Sequence, residues 1–261
     1  MKIQFVGVGS AFTDERYWQS NALVIADSGK KLLIDAGGDI RHSIKELGVT
    51  NYNVGEEIDA VYVSHCHADH IGGLEWLGFC TYFNPEAKKP TMFIVSALVG
   101  DLWRSLQSGM QSHDNVVLEL TDFFEVQRVT KNSTFEWEGI KFTPVQTIHI
   151  MNGFTFVHSY GLLIEQKCRT GTVFFTTDTQ FCPNQIQNFY DAAEVVFHDC
   201  ETAPYYSKVH AHYDDMVTLP DETKAKMWLY HYQPDPPQDA VGDGFQGFAE
   251  KGQIFDFPCT I

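Results

Sequence analysis

Apolar and polar positions alternate in short runs through the first third of the chain. Ile3–Val8, Ala22–Ala26 and Lys31–Asp35 read as strands, with a turn at Ser28-Gly29 joining the second to the third. Asp39–Leu47 has helical spacing and stops at Gly48, a residue suited to the left-handed end of a helix. A strand follows at 59–64, then a His-rich loop, then a helix from about Ile71 to Phe83. Thr91–Val95 reads as a strand and Ala97–Ser108 as a helix. From Val116 to Val145 the runs shorten, which predicts a β-meander with turns at Lys131-Asn132-Ser133 and Glu138-Gly139.

The second half repeats the scheme. Tyr160–Gln166 and Thr172–Thr176 predict a hairpin around Arg169-Thr170-Gly171. Ala193–His198 and Met227–Tyr232 read as strands, with at least partial helix over Asp214–Ala225 between them. The Pro-rich stretch Gln233–Gln238 and the Gly-rich stretch Val241–Gly247 are loops. No linker-like composition divides the chain, so residues 1–261 are expected to form one α/β domain, with βα layers around stacked sheets.

Composition narrows the function classes. The net charge of −16 disfavours an extended nucleic-acid surface, which needs a basic stripe to displace counterions. It leaves room for a small anionic ligand, because bound divalent ions would reverse the sign locally. No stretch approaches the roughly 20 apolar residues of a membrane helix. The opening MKIQFVGVGS starts on a strand pattern without the regions of a signal peptide. Six cysteines are scattered without a CxxC pair, and free thiols in a reducing cytoplasm are the expectation.

The chemistry concentrates in YVSHCHADHIGGL, between Tyr62 and Leu74. His65, His67, Asp69 and His70 place three imidazoles and a carboxylate within six positions, a set suited to zinc or manganese. Extended backbone alternates its side chains, so His65 and His67 point together and Cys66 points away. Asp69 and His70 follow as the chain turns and can address a second point. Further candidates sit at later strand ends: His149, Asp178, the His198-Asp199-Cys200 run and His231. Each is weak alone, since an Asp after a strand is usually a turn or cap residue and a single His in a loop is as often bland. Their recurrence after apolar strands, beside the first cluster, raises them.

HCHADH followed by His149, Asp178 and His231 resembles the metallo-β-lactamase superfamily, whose signature is HxHxDH followed by separate His, Asp and His positions. The resemblance runs from FVGVGSAF to LYHYQPD and implies an αββα sandwich with metals at one edge. It implies that His65, His67 and His149 hold one divalent ion, that Asp69, His70 and His231 hold a second, and that Asp178 bridges them. His158 is the alternative to His149. Zinc is the expected metal and manganese the other candidate. Asp35, in LLIDAG, matches the superfamily's early Asp-Gly-type turn; it reads either as a group orienting a ligand imidazole or as an ordinary strand-end Asp.

His198-Asp-Cys-Glu and His210-Ala-His212 resemble the tRNA 3′-processing endonuclease branch, in which a His assists the leaving group. His212 is assigned that catalytic role alongside Asp69, with His210 as the competing choice. That branch carries a long basic arm, whereas residues 97–115 here contain one Arg and no Lys. FVGVGSAF, HCHADHIGGLEWLGF and HAHYDDM resemble more closely the anti-Pycsar phosphodiesterases of phages and bacteria. This resemblance implies a cytoplasmic homodimer that hydrolyses 3′,5′-cyclic mononucleotides with broad base tolerance, cAMP and cGMP included, with cCMP and cUMP as the relevant signals, and so evades or regulates cyclic-nucleotide antiphage defence. The alternatives are a tRNA 3′-processing endonuclease and a metal-binding protein that sequesters a nucleotide. Phe79, Tyr82, Phe83, Tyr205 and Tyr206 could stack a base, although for each the core or interface reading is the more common one.

Overall fold

The computed structural model describes residues 1–130 and 133–259. In chain order the first strands are β1 (Lys2–Gly7), β2 (Asn21–Ile25), β3 (Lys31–Ile34), β4 (Ala60–Val63) and β5 (Thr91–Val95). A small ribbon follows, β6 (Ser112–His113) paired with β7 (Val116–Val117), and then β8 (Glu125–Val129). The remaining strands are β9 (Phe135–Trp137), β10 (Ile140–Met151), β11 (Phe156–Gln166), β12 (Thr172–Phe175), β13 (Val195–Asp199), β14 (Met227–Tyr230), β15 (Gly247–Phe248) and β16 (Ile254–Asp256). One seven-stranded sheet has the order β16-β1-β2-β3-β4-β5-β8, and a second runs from β9 to β15 in sequence.

The period-two pattern of the strands assigns their side chains to layers. In β4, Ala60 and Tyr62 enter the core between the sheets, whereas Val61 and Val63 pack under the helices of the first sheet. In β12, Val173 and Phe175 enter the shared core while Phe174 faces the helices of the second sheet. Strands buried on both faces therefore read as continuous apolar runs. The three cores lie helix to sheet, sheet to sheet and sheet to helix, which is the expected αββα sandwich.

Two expectations need correction. The region 116–145 is not a meander. Residues Leu120–Phe123 are helical, β8 pairs in parallel with β5 in the first sheet, and β9 opens the second. Short alternating runs look alike whichever sheet they join; partner choice is tertiary. Lys131 and Asn132 of the expected turn lie outside the described residues. The second correction concerns the thiols: Cys168 and Cys259 form a disulfide across 91 residues, while Cys66, Cys80, Cys182 and Cys200 are free. The β11–β12 turn and the tail after β16 meet only in the folded sandwich, so their spacing carried no signal.

Helix boundaries differ by a turn or less. Residues 39–47 become a helix over Ile40–Ser43 and a 3-10 turn over Ile44–Leu47, stopped by Gly48 at φ 83°. The expected helix from Ile71 to Phe83 divides into Ala68–Ile71 and Leu74–Tyr82 around Gly72-Gly73, and Asp214–Ala225 into Tyr213–Met216 and Asp221–Lys224.

Candidate active site

The candidate residues arise where strands end. His65, His67, Asp69 and His70 follow β4, Asp178 follows β12, Asp199 ends β13 and His231 follows β14. These are carboxyl ends of parallel strands, where open α/β sheets present ligand sites. His149 arrives differently. The β10–β11 register shifts between Ile148 and Ile150, and this bulge re-aims the residue between them. Three strand-end residues turn sharply through left-handed backbone: Asp35 at φ 61°, Thr177 at 52° and His231 at 65°. Each such non-glycine position costs roughly 1–2 kcal/mol, held here by the surrounding packing. Gly37 is required for a different reason, since a Cβ there would stand 2.2 Å from the Asp69 carbonyl oxygen.

Among the described residues, three groups of ligand-type atoms share Asp178: one with His65, His67 and His149, one with Asp69, His70 and His231, and one with Asp199, His210 and His231. The first two match the expected ligand sets. In the first, His65 Nε2 and His149 Nε2 lie 3.1 and 3.0 Å from His67 Nδ1, and each lies 3.6 Å from Asp178 Oδ2. In the second, His70 Nε2 is 3.4 Å from Asp69 Oδ2 and 3.2 Å from Asp178 Oδ1. His231 Nε2 lies 3.4 Å from Asp69 Oδ2 and 3.6 Å from Asp178 Oδ2. His65 and His67 thus face one point, and Cys66 between them packs on the helix-layer core.

The donor set fits divalent ions. Among the described residues, both Asp178 oxygens and His70 Nε2 are buried without a hydrogen-bond partner, a costly state for polar atoms that a shared cation would relieve. Mutual spacings of 3.0–3.6 Å suit nitrogens and oxygens gathered around an ion at about 2.0–2.2 Å. Without metal the electrostatics are polarised. Burial holds the His65, His67 and His149 imidazoles down, His149 to about 4. Burial also pulls His70 down, but Asp178, Asp69 and Asp35 outweigh it and raise His70 well above the usual range. Burial opposes ionisation of Asp178, yet His231, His70 and His65 hold its carboxyl well below normal.

Outer contacts orient the rings. Asp35 Oδ2 accepts from His70 Nδ1 at 2.8 Å and from Ser64 Oγ at 2.6 Å, and Ser64 Oγ lies 2.9 Å from His65 Nδ1. Of the two readings of Asp35, the geometry matches orientation of a ligand imidazole. His149 Nδ1 donates to the Val209 carbonyl at 2.7 Å. Asp199 Oδ2 accepts from His210 Nδ1 at 2.8 Å and from Thr179 N at 2.9 Å, and its Oδ1 lies 3.5 Å from His231 Nδ1. Asp199 and the Val209 carbonyl were absent from the assigned site. The signal for Asp199 was a carboxylate ending a buried run, the same as for Asp178; nothing in sequence marks a carbonyl.

His210 and His212 part company. His210 stacks beside His231 with ring centroids 4.6 Å apart, and its Nδ1 is 3.9 Å from Asp178 Oδ2. Burial alone would lower His210, but Asp199 raises it to about 9. His212 turns elsewhere. Its Nε2 donates to the Ala203 carbonyl at 2.9 Å, its Nδ1 accepts from Asp214 N at 3.3 Å, and its ring stacks on Tyr206 at 3.8 Å. The leaving-group role assigned to His212 therefore has no free nitrogen behind it, and His210 is the imidazole beside the cluster. His158 pairs with Gln146, outside both ligand groups. Phe79, Tyr82 and Phe83 pack on one another and Phe123, while Tyr205 and Tyr206 are half exposed or more on the loop carrying His210.

Among solved structures, the metallo-β-lactamase fold protein YhfI from Bacillus subtilis superposes with a TM-score of 0.73 at 18% identity, covering 97% of this chain and 98% of that one. A diphosphatase of the PhnP family gives 0.73 at 22% identity, with 99% and 98% covered. The short form of human tRNase Z gives 0.68 at 14%, with 99% and 100% covered. These likenesses show the fold. Sequence relatives are nearer: the anti-Pycsar protein Apyc1 of Paenibacillus harenae is 33% identical over 234 residues, 89% of this chain and 90% of that protein. The protein of the same name from Bacillus phage vB_BveM-Goe7 is 31% identical over 263 residues, with 97% and 96% covered. Residues 1–255 match the family described as anti-Pycsar protein Apyc1, and the chain belongs to that family.

Proposed function

We propose that the chain is a two-metal phosphodiesterase that hydrolyses 3′,5′-cyclic mononucleotides to 5′-monophosphates. The observation that carries the reading is Asp178, whose two buried, unbonded oxygens stand between two imidazole groups. His65, His67 and His149 would hold one ion and Asp69, His70 and His231 the other, with Asp178 shared. Imidazole and carboxylate ligands suit zinc, and manganese remains compatible. Two divalent ions at such a site supply neutralisation of the phosphoryl oxygens and an attacking water of lowered pKa.

The chain's own residues do the rest. Water adds to phosphorus and gives up one proton to solvent while the bond from phosphorus to O3′ breaks, and O3′ takes a proton as it leaves. His210, held through Nδ1 by Asp199, is the group placed to provide that proton from Nε2. Asp35, Asp199 and the Val209 carbonyl keep the ring nitrogens of His70, His231 and His149 aimed at the cluster.

A small substrate agrees with the charge of −16 and with the helix Val99–Met110, where Arg104 is paired with Asp101. The relatives' designation as anti-Pycsar proteins supports a cyclic nucleotide as the substrate. Our reading adds cCMP and cUMP as first candidates and a homodimer acting in the bacterial cytoplasm. The test is a panel of cyclic nucleotides incubated with zinc- or manganese-loaded protein and resolved by chromatography. Release of 5′-monophosphate is the expected result. No conversion of any member, with the ligand recovered intact, would sink the reading and favour sequestration.

A further inference from the structure

We infer that His212 is a positioning residue that sets the loop 203–210, and through it both His210 and His149; this rests on the two-metal reading above. The loop leaves β13 and returns to the short helix Tyr213–Met216. Its base is closed by backbone: Glu201 N donates to Ala211 O at 2.8 Å, and Tyr213 N to Glu201 O at 2.9 Å. Glu201 also accepts from Ser207 N at 2.9 Å. Within that ring His212 touches three places. Its Nε2 donates to Ala203 at the start of the loop, its face covers Tyr206 in the middle, and its Nδ1 caps the helix that follows.

An N-cap needs only a small acceptor, and Ser, Thr, Asp or Asn supply one. Imidazole adds a second nitrogen on the far side of the ring, and here that nitrogen spans back across the loop to Ala203. The pattern of one accepted and one donated bond is that of the Nε2–H tautomer. His212 is buried to 4% exposure, so no solvent exchange competes with these contacts.

What the loop presents explains why this matters. The Val209 carbonyl receives His149 Nδ1, and the next residue, His210, reaches Asp199, stacks on His231 with centroids 4.6 Å apart and lies tilted against His149 at 5.1 Å. Loosening the loop therefore disturbs a metal-ligand orientation and the leaving-group imidazole together. A catalytic His212 would affect turnover alone, and a merely structural one only stability.

Three variants separate these roles. His212→Ala removes all three contacts, His212→Asn keeps a cap acceptor, and His212→Gln keeps a donor that reaches towards Ala203. Zinc affinity is read by competition with a chromophoric chelator, alongside kcat on a cyclic nucleotide and the melting temperature. His212→Ala should weaken zinc binding about tenfold, the scale for lost support of a ligand imidazole, and lower kcat as well. His212→Asn and His212→Gln should each restore part of both. Zinc affinity and kcat unchanged in all three variants would overturn the inference. So would a His212→Asn enzyme as inactive as His210→Ala but with wild-type zinc affinity, since His212 would then act directly. A wild-type chain that binds no zinc brings down the two-metal reading itself, a result visible before any variant is made.

Discussion

Asp199 holds His210 by a 2.8 Å bond between Oδ2 and Nδ1, which leaves Nε2, on the opposite side of the ring, without a hydrogen bond among the described residues. Replacing His210 with Ala should therefore lower kcat for a cyclic nucleotide by about 10²–10⁴-fold, the usual worth of a placed proton donor. A bis(p-nitrophenyl) phosphate substrate has a leaving group that needs no proton, and its hydrolysis should fall far less. Equal losses on the two substrates would remove His210 from that role. Asp199→Asn should show the same asymmetry at smaller size.

Asp178 belongs to both ligand groups, so it tests them together. Asp178→Asn keeps the shape and removes the charge. Metal content by atomic absorption should drop from about two ions per chain to one or none, because a neutral amide is a poor bridging ligand. Retention of both ions with full activity would contradict the shared-carboxylate geometry.

Zinc uptake should release protons at neutral pH. In the metal-free site Asp178, Asp69 and Asp35 outweigh burial and keep His70 protonated well above its normal range. Its Nε2 must lose that proton to become a ligand, so affinity strengthens as pH rises and weakens as it falls. Calorimetric titrations in buffers of different ionisation enthalpy measure the number released. Binding heats that do not vary with buffer would rule it out.

The Cys168–Cys259 disulfide ties the β11–β12 turn in one sheet to the tail after β16 in the other. Thiol titration of unreduced, denatured protein should count four cysteines, and six after reduction. Closing a 91-residue loop removes unfolded-state entropy worth at most about 4–5 kcal/mol, so reduction or Cys259→Ser should lower the melting temperature by several degrees. The β11–β12 turn that carries Cys168 lies at the opposite end of β12 from Asp178, and kcat at low temperature should hold. Six thiols counted without reductant would dismiss the bond.

Much of the site was legible because its chemistry is local. The HCHADH loop carries four ligand-type side chains in six positions, and strand alternation alone turns His65 and His67 together and Cys66 away. Asp178 and His231 were readable as polar residues ending apolar runs. Asp199 ended such a run too, yet the resemblance assigned no ligand there. Sequence gives His210 and His212, two imidazoles two residues apart, no means of showing which faces the ions. The side-chain period is settled by the loop, whose path depends on Ala203, Tyr206 and Glu201.

By itself, then, the sequence determined the layers and the chemical type of the site. Burial on both faces demands continuous apolar strands, and clustered imidazoles with carboxylates have few uses besides holding metal. Tertiary structure decided which elements meet: that β8 joins the first sheet and β9 the second, that Cys168 finds Cys259, and that His210 rather than His212 stands beside Asp178. The reason is physical. Strand pattern and residue chemistry are properties of neighbouring residues, whereas pairing and aim depend on groups tens of residues apart, brought to contact only by the packed cores.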